Sequence, residues 1–169
     1  MVSMHTQRNF LHRYESLLLV VPLLLLSACA SIDCSITSAV SCHYSLRGEV
    51  DALSDTLTIL AMRPNSNDTI VLNRLTQANA FSLPVSYEYD SDQLLFLQKD
   101  TVGELRTDTV TLFKTNNPHF DSVDCPPRFF HTITRVQTTH HGIDSIVIAH
   151  PNIDYDEKEN LLIYFHPRR

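Results

Sequence analysis

The chain has 169 residues, with 13 Lys and Arg against 19 Asp and Glu, a formal charge of −6 and no tryptophan. That acidity excludes nucleic acid as an electrostatic partner and argues against attraction to anionic head groups, because either demands a basic stripe. Once an N-terminal leader is set aside, the length suits one domain of roughly 100 to 150 residues.

The leader is the first element in chain order. Arg8 and Arg13 precede an uninterrupted apolar segment, Leu17 to Leu26, and then Ser27, Ala28 and Cys29. The segment is too short for a hydrocarbon core, which needs about 20 residues. This order of basic, apolar, small and cysteine residues resembles the bacterial lipoprotein signal. The resemblance implies a diacylglyceryl thioether on Cys29, cleavage before it and acylation of the new amino terminus. Residues 1–28 are then a signal peptide, 29–35 a lipid-anchored lead-in and 36–169 a single domain. At about 0.8 kcal/mol per buried methylene, two or three acyl chains hold a protein on a bilayer almost permanently. Processing removes two Arg and one Glu, so the mature chain carries −7. Ala30, Ser31, Ile32 and Asp33 contain no acidic run resembling a surface-export signal, so the expected address is the periplasmic face of the outer membrane.

Short β runs follow, at 36–47, 55–62, 68–74, 80–88, 93–99, 107–114, 129–138, 143–149 and 161–166. Each is rich in Val, Ile, Leu, Phe, Tyr or Thr and bounded by Asn, Asp, Pro or Gly, at the spacing of a sandwich or barrel. Leu57, Ile59 and Ala61 alternate with Thr56 and Thr58, and Val110 and Leu112 with Thr109 and Thr111, which marks one buried and one wet face. Phe129 to Thr138 breaks this alternation, as a bulge or a functional surface would. Asp followed by Thr or Ser recurs at Asp55, Asp68, Asp108 and Asp144, where the carboxylate suits a turn into a strand. The fold expected is all-β, a two-sheet antiparallel sandwich with an immunoglobulin-like outline.

Beyond Cys29, three cysteines remain in an oxidising compartment and form at most one internal bridge. Parity turns Cys42 toward the core with Val40, Tyr44 and Leu46, where it acts as a small hydrophobe. A Cys34–Cys125 bridge is favoured, closing about 90 residues for a few kcal/mol in the chain-entropy model. Its rival is a Cys42–Cys125 staple between sheets.

Several groups of side chains bear on chemistry. His140 and His141 are adjacent, and neighbours on a strand face opposite ways; His119, His131 and His150 stand elsewhere, and no spacing completes a zinc motif. Asp90 with Asp92, and Asp154 with Asp156 and Glu157, lack the glycine turn and terminal Glu of a calcium loop. Cys125 near His131 reads as a structural cysteine flanked by prolines rather than a thiolate pair. No nucleophile elbow, phosphate loop or metalloprotease motif occurs. Tyr87, Tyr89 and Tyr155, at strand ends or loops, form a candidate platform for a glycan.

The stretches Cys42 to Gly48, Asp55 to Thr58, Leu72 to Arg74, Leu83 to Tyr87, Thr115 to Pro126, Phe129 to Thr134, Ile143 to Ile148 and Asn152 to Asp156 together resemble one family. It is a family of small lipoproteins of Bacteroidota known as domain of unknown function 6452, and His119-Phe120 through Cys125-Pro126-Pro127 is its most specific part. The resemblance implies an exported, β-rich envelope protein and supplies no activity, catalytic residue or cofactor. The function expected is therefore non-catalytic: a domain held to the membrane by lipid on Cys29, binding another envelope or outer-membrane protein. Glycan or small-ligand binding is the alternative.

Overall fold

The computed structural model describes Cys34 and residues 40–168. The chain divides into Met1–Cys34 and Ser35–Arg169, and the second unit carries all ten described strands. The proposed signal peptide and Cys29 lie outside the described residues.

The strands are β1 (Ser41–Arg47), β2 (Thr56–Met62), β3 (Thr69–Leu75), β4 (Ala80–Pro84), β5 (Ser91–Lys99), β6 (Leu105–His119), β7 (Arg128–Thr138), β8 (Ile143–Ile148), β9 (Asn152–Ile153) and β10 (Leu161–Phe165). They form a four-stranded sheet in the order β4-β1-β10-β8 and a six-stranded sheet in the order β3-β2-β5-β6-β7-β9. The two-sheet sandwich read from the alternation is thus what the chain adopts. Among the described strands every pairing is antiparallel except one, since β1 runs parallel to β10 with Tyr44 opposite Leu161. Distant segments meet there, and no local pattern signals such a pairing.

The core lies between the sheets. Cys42, Tyr44 and Leu46 of β1, Phe81 and Leu83 of β4, and Leu161, Ile163 and Phe165 of β10 face Leu57 and Ile59, Leu94 and Phe96, Val110 and Leu112, and Ile133. Tyr44 and Phe81 are cross-strand partners whose rings stack at 4.9 Å, and Phe96 closes on both at 6.4 and 6.3 Å. Cys42 is free and fully buried, as its parity required. Burial pushes its thiol up to about 12, against the pull of the Tyr44 hydroxyl beside it. Cys34 and Cys125 are disulfide-bonded, which excludes the Cys42–Cys125 staple.

Several boundaries moved for physical reasons. The run at 80–88 ends at Pro84, which lacks the N–H a ladder needs. The run at 107–114 continues to His119 through Pro118: β5 stops at Ser91, opposite Phe113, and among the described strands β7 alone pairs with that tail. Asp108 lies inside β6 rather than at a turn into it. The irregular 129–138 contains a register shift against β6 at Phe113/Lys114. Two-residue β9 was too short to show any period. It is placed by Asn160, whose Nδ2 donates to Asn152 O at 2.8 Å and His150 O at 3.1 Å, while its Oδ1 accepts from His43 N at 2.9 Å.

Candidate functional site

The tail of β6 and the start of β7 form a ribbon that outruns the rest of its sheet. Asn117 pairs with Phe130 and His119 with Arg128, so these four share one face, while Asn116, Pro118, Phe129 and His131 share the other.

On the first face, Phe130 stacks on His119 at 4.4 Å between ring centroids and meets Tyr155 edge-on at 4.9 Å. The Arg128 guanidinium lies 5.1 Å from the Tyr155 ring centroid, within reach of its π face. Asp121 gathers the group: it accepts from Tyr155 Oη at 3.0 and 3.1 Å and from Arg128 Nε at 2.9 Å, and His119 Nε2 stands 3.3 Å away. Partial desolvation and the bond to Asp121 raise the Tyr155 phenol above its ordinary value, so it serves as a donor.

These residues bound an open cleft of about 420 Å³ lined by His119, Phe130, Asp154, Tyr155 and Asp156. Tyr155 remains half exposed. Asp154 Oδ1 accepts the Asp156 N–H at 2.7 Å and Asp156 pairs with Lys158, which fixes the turn and sets carboxylates on the rim. An aromatic floor with a carboxylate rim holds an apolar or cationic side chain, or the apolar face of a sugar ring, with no covalent step.

The opposite face carries Tyr87 stacked on Phe129 at 4.9 Å. Beneath it, Asn116 Nδ2 donates to Tyr87 O at 3.3 Å and Tyr89 O at 3.1 Å, which leaves its Oδ1 to accept from His131 Nδ1 at 2.7 Å. Lys114, whose side chain is wholly buried, donates to Tyr89 O and stands 3.5 Å from Asp92 Oδ2. Burial, then the Lys114 charge, lowers His131 to about 4, so it is neutral. Burial raises Asp92, and Lys114 opposes that rise. This network fastens the loop before β5 to the ribbon.

A family model for DUF6452, described as a family of unknown function, matches residues 56–165. The chain belongs to the DUF6452 family. In this DUF6452 member the matched stretch runs from β2 through β10 and contains the whole cleft, while β1 and Cys34 precede it. No curated protein and no solved structure matches the chain significantly.

Of the residues the sequence singled out in this DUF6452 chain, Tyr155 lies in the cleft. Tyr87 lies on the other face of the ribbon and Tyr89 on the loop beside it, so the three tyrosines do not form one platform. His140, with a left-handed φ of 62°, shares its Nδ1 with Asp144 O at 2.6 Å, whereas His141 Nδ1 approaches Thr139 Oγ1 at 3.2 Å. The pair therefore addresses different partners. Asp90 and Asp92 diverge, one toward Asn116 and the other toward Lys114. Among the described residues no three of His, Cys, Asp and Glu converge as metal ligands would. His119, Phe130, Asp121 and Arg128 are not grouped by any sequence pattern; the broken alternation of 129–138 contains Phe130, and the family-specific stretch from His119 to Pro127 contains His119 and Asp121.

Proposed function

We propose that this protein is a lipid-anchored, non-catalytic component of the cell envelope, exported by residues 1–28, tethered through Cys29 at the periplasmic face of the outer membrane. Its role is to bind another envelope or outer-membrane protein, and its contact surface is the cleft of His119, Phe130 and Tyr155. What carries the reading is the half-exposed Tyr155 ring, held in place by Asp121 and Arg128 on a ribbon that projects past its sheet. Rigid aromatic side chains with a polar handle supply contact area at little entropic cost, and they dominate protein interfaces. The lipid confines domain and partner to one surface, so a modest interface suffices.

Glycan binding is the second reading. It is favoured by the concavity of the cleft, with Tyr155 beside Asp154 and Asp156. The test is brief in vivo crosslinking in the native host, followed by purification of the tagged protein from gently solubilised membranes. One stoichiometric membrane protein is the expected result. Recovery of the protein alone, with Tyr155-dependent binding on a glycan array, replaces the first reading by the second. Anchoring has its own check, because Cys29→Ala should move the domain to the soluble fraction; continued membrane association sinks the tether.

A further inference from the structure

We infer that the tip between β6 and β7 rests on the lipid surface, with Phe120 and Val123 in its interfacial layer. The inference rests on the proposed lipid anchor and goes beyond it, because a tether alone leaves orientation open.

The tip, residues 120–127, contains Cys125, which is disulfide-bonded with Cys34. Cys34 is five residues from Cys29. Even a fully extended chain covers no more than about 18 Å over that distance. A disulfide adds about 6 Å between Cα atoms, so Cys125 stays within about 24 Å of the acylated residue. At about 3.4 Å per residue, β6 alone is roughly 48 Å long, from Leu105 to His119. The covalent path therefore keeps the tip close to the anchor and sets no such bound on the far end of β6. The tip faces the membrane, and the β5–β6 turn with Val102 points away from it.

The tip has side chains suited to that position. Phe120 is 62 % exposed and Val123 is 96 % exposed, both apolar and both on one short loop. Apolar side chains at a loop tip gain most where an acyl boundary buries them. Tyr155 and Tyr87 pack against the two faces of the ribbon behind them, through Phe130 and Phe129, where amphipathic rings match the head-group level. Asp121 does not oppose the contact, because Arg128, His119 and the Tyr155 hydroxyl satisfy its carboxylate. Asp124 lies in the tip as well, and the mature chain is acidic, so the attraction is apolar and not electrostatic. With the tip down, the cleft sits near the membrane, where a membrane-embedded partner meets it.

The natural chain has no tryptophan, so one introduced residue reports one site. Phe120→Trp, Val123→Trp and Val102→Trp are each made in the full, lipidated protein and reconstituted in phosphatidylethanolamine–phosphatidylglycerol vesicles with shallow brominated acyl chains. All three positions are exposed, so folding is kept. Expected are blue-shifted emission and loss of more than half the intensity at 120 and 123, against water-like, nearly unquenched emission at 102. Protein that carries the acyl mass and floats with vesicles, yet shows equally weak quenching at all three sites, overturns the tip contact and leaves the anchor standing. Protein that carries no acyl mass and does not float overturns both.

Discussion

Asp108 and Lys114 stand at the two ends of one buried row on β6, Asp108, Val110, Leu112 and Lys114, and each fastens a different connection to the sandwich. Asp108 accepts backbone N–H groups of His141 and Gly142 at 2.6 Å and Ile143 at 2.9 Å, and the Thr139 hydroxyl at 2.9 Å. It thereby pins the β7–β8 turn. Lys114 pins the loop before β5 through Tyr89 O and the start of β5 itself through Asp92. The central strand carries a charge of each sign at opposite ends, each answered by its own partners.

Removing the Asp108 carboxylate leaves three N–H groups without their acceptor, those of Gly142 and Ile143 in buried surroundings. Asp108→Ala is expected to lower stability by about 3 kcal/mol, measured by urea unfolding. Burial works to raise this carboxyl, but the hydrogen bonds from His141, Gly142, Thr139 and Ile143 outweigh it and hold it below the ordinary range. Its contribution is therefore present above about pH 4 and lost as acid titrates the folded carboxylate. Gly142→Ala tests the same turn from its backbone, because a Cβ there would collide with Gln98 Oε1 and stand 3.2 Å from Asp108 Oδ2. It should destabilise, whereas a neutral result would mean that Gln98 moves aside.

The Lys114–Asp92 pair separates a broken ion pair from an absent one. Asp92→Ala strands a wholly buried ammonium and is expected to cost about 3 to 5 kcal/mol, whereas Lys114→Met combined with Asp92→Leu should recover most of that loss. Equal losses in the single and double variants would contradict the pairing.

His131 makes stability depend on pH in a stated direction. Its folded value, about 4, lies below the unfolded value near 6.5, so between these the unfolded chain binds more protons and stability rises with pH. The contribution is full above pH 6.5 and is lost as pH falls toward 4. Between pH 7 and pH 5 the expected loss is about 2 kcal/mol. His131→Gln should flatten that slope; an unchanged slope would assign it to another group.

Much of the sandwich was legible in the residues, and the reason is local. Alternation in Leu57, Ile59 and in Val110, Leu112 follows from one face meeting a core, and Pro84 or Gly48 punctuates the ends. Gly48 takes a φ of 90°, and a Cβ there would approach Tyr164 at 3.0 Å. Continuing the β6 parity by one step puts Lys114 in the core, a warning of a buried partner that the sequence left unnamed. The parallel β1–β10 pair and the cleft were not legible, because each joins segments far apart in the chain. Tyr155 reaches Phe130 only through β9, and Asn160 sets β9 in place.

The cysteines divide by reactivity. Among the described cysteines, none should label at pH 8 in native protein, and denaturation without reductant should reveal one, Cys42, because burial holds its thiol up to about 12. Reducing the bridge between Cys34 and Cys125 opens a loop of about 90 residues and should cost about 4 to 5 kcal/mol in the chain-entropy model. Labelling of Cys125 in unreduced protein would contradict the bridge.

The proposed function is recognition through the aromatic cleft by a protein held at the membrane. Its most direct measurement is quantitative crosslinked capture from native membranes with wild-type protein and Tyr155→Ala, both lipidated and matched in abundance and unfolding midpoint. A single membrane protein captured by the wild type and reduced at least tenfold by Tyr155→Ala is the predicted result, corresponding to about 1.4 kcal/mol of binding. Equal capture by both proteins would contradict it.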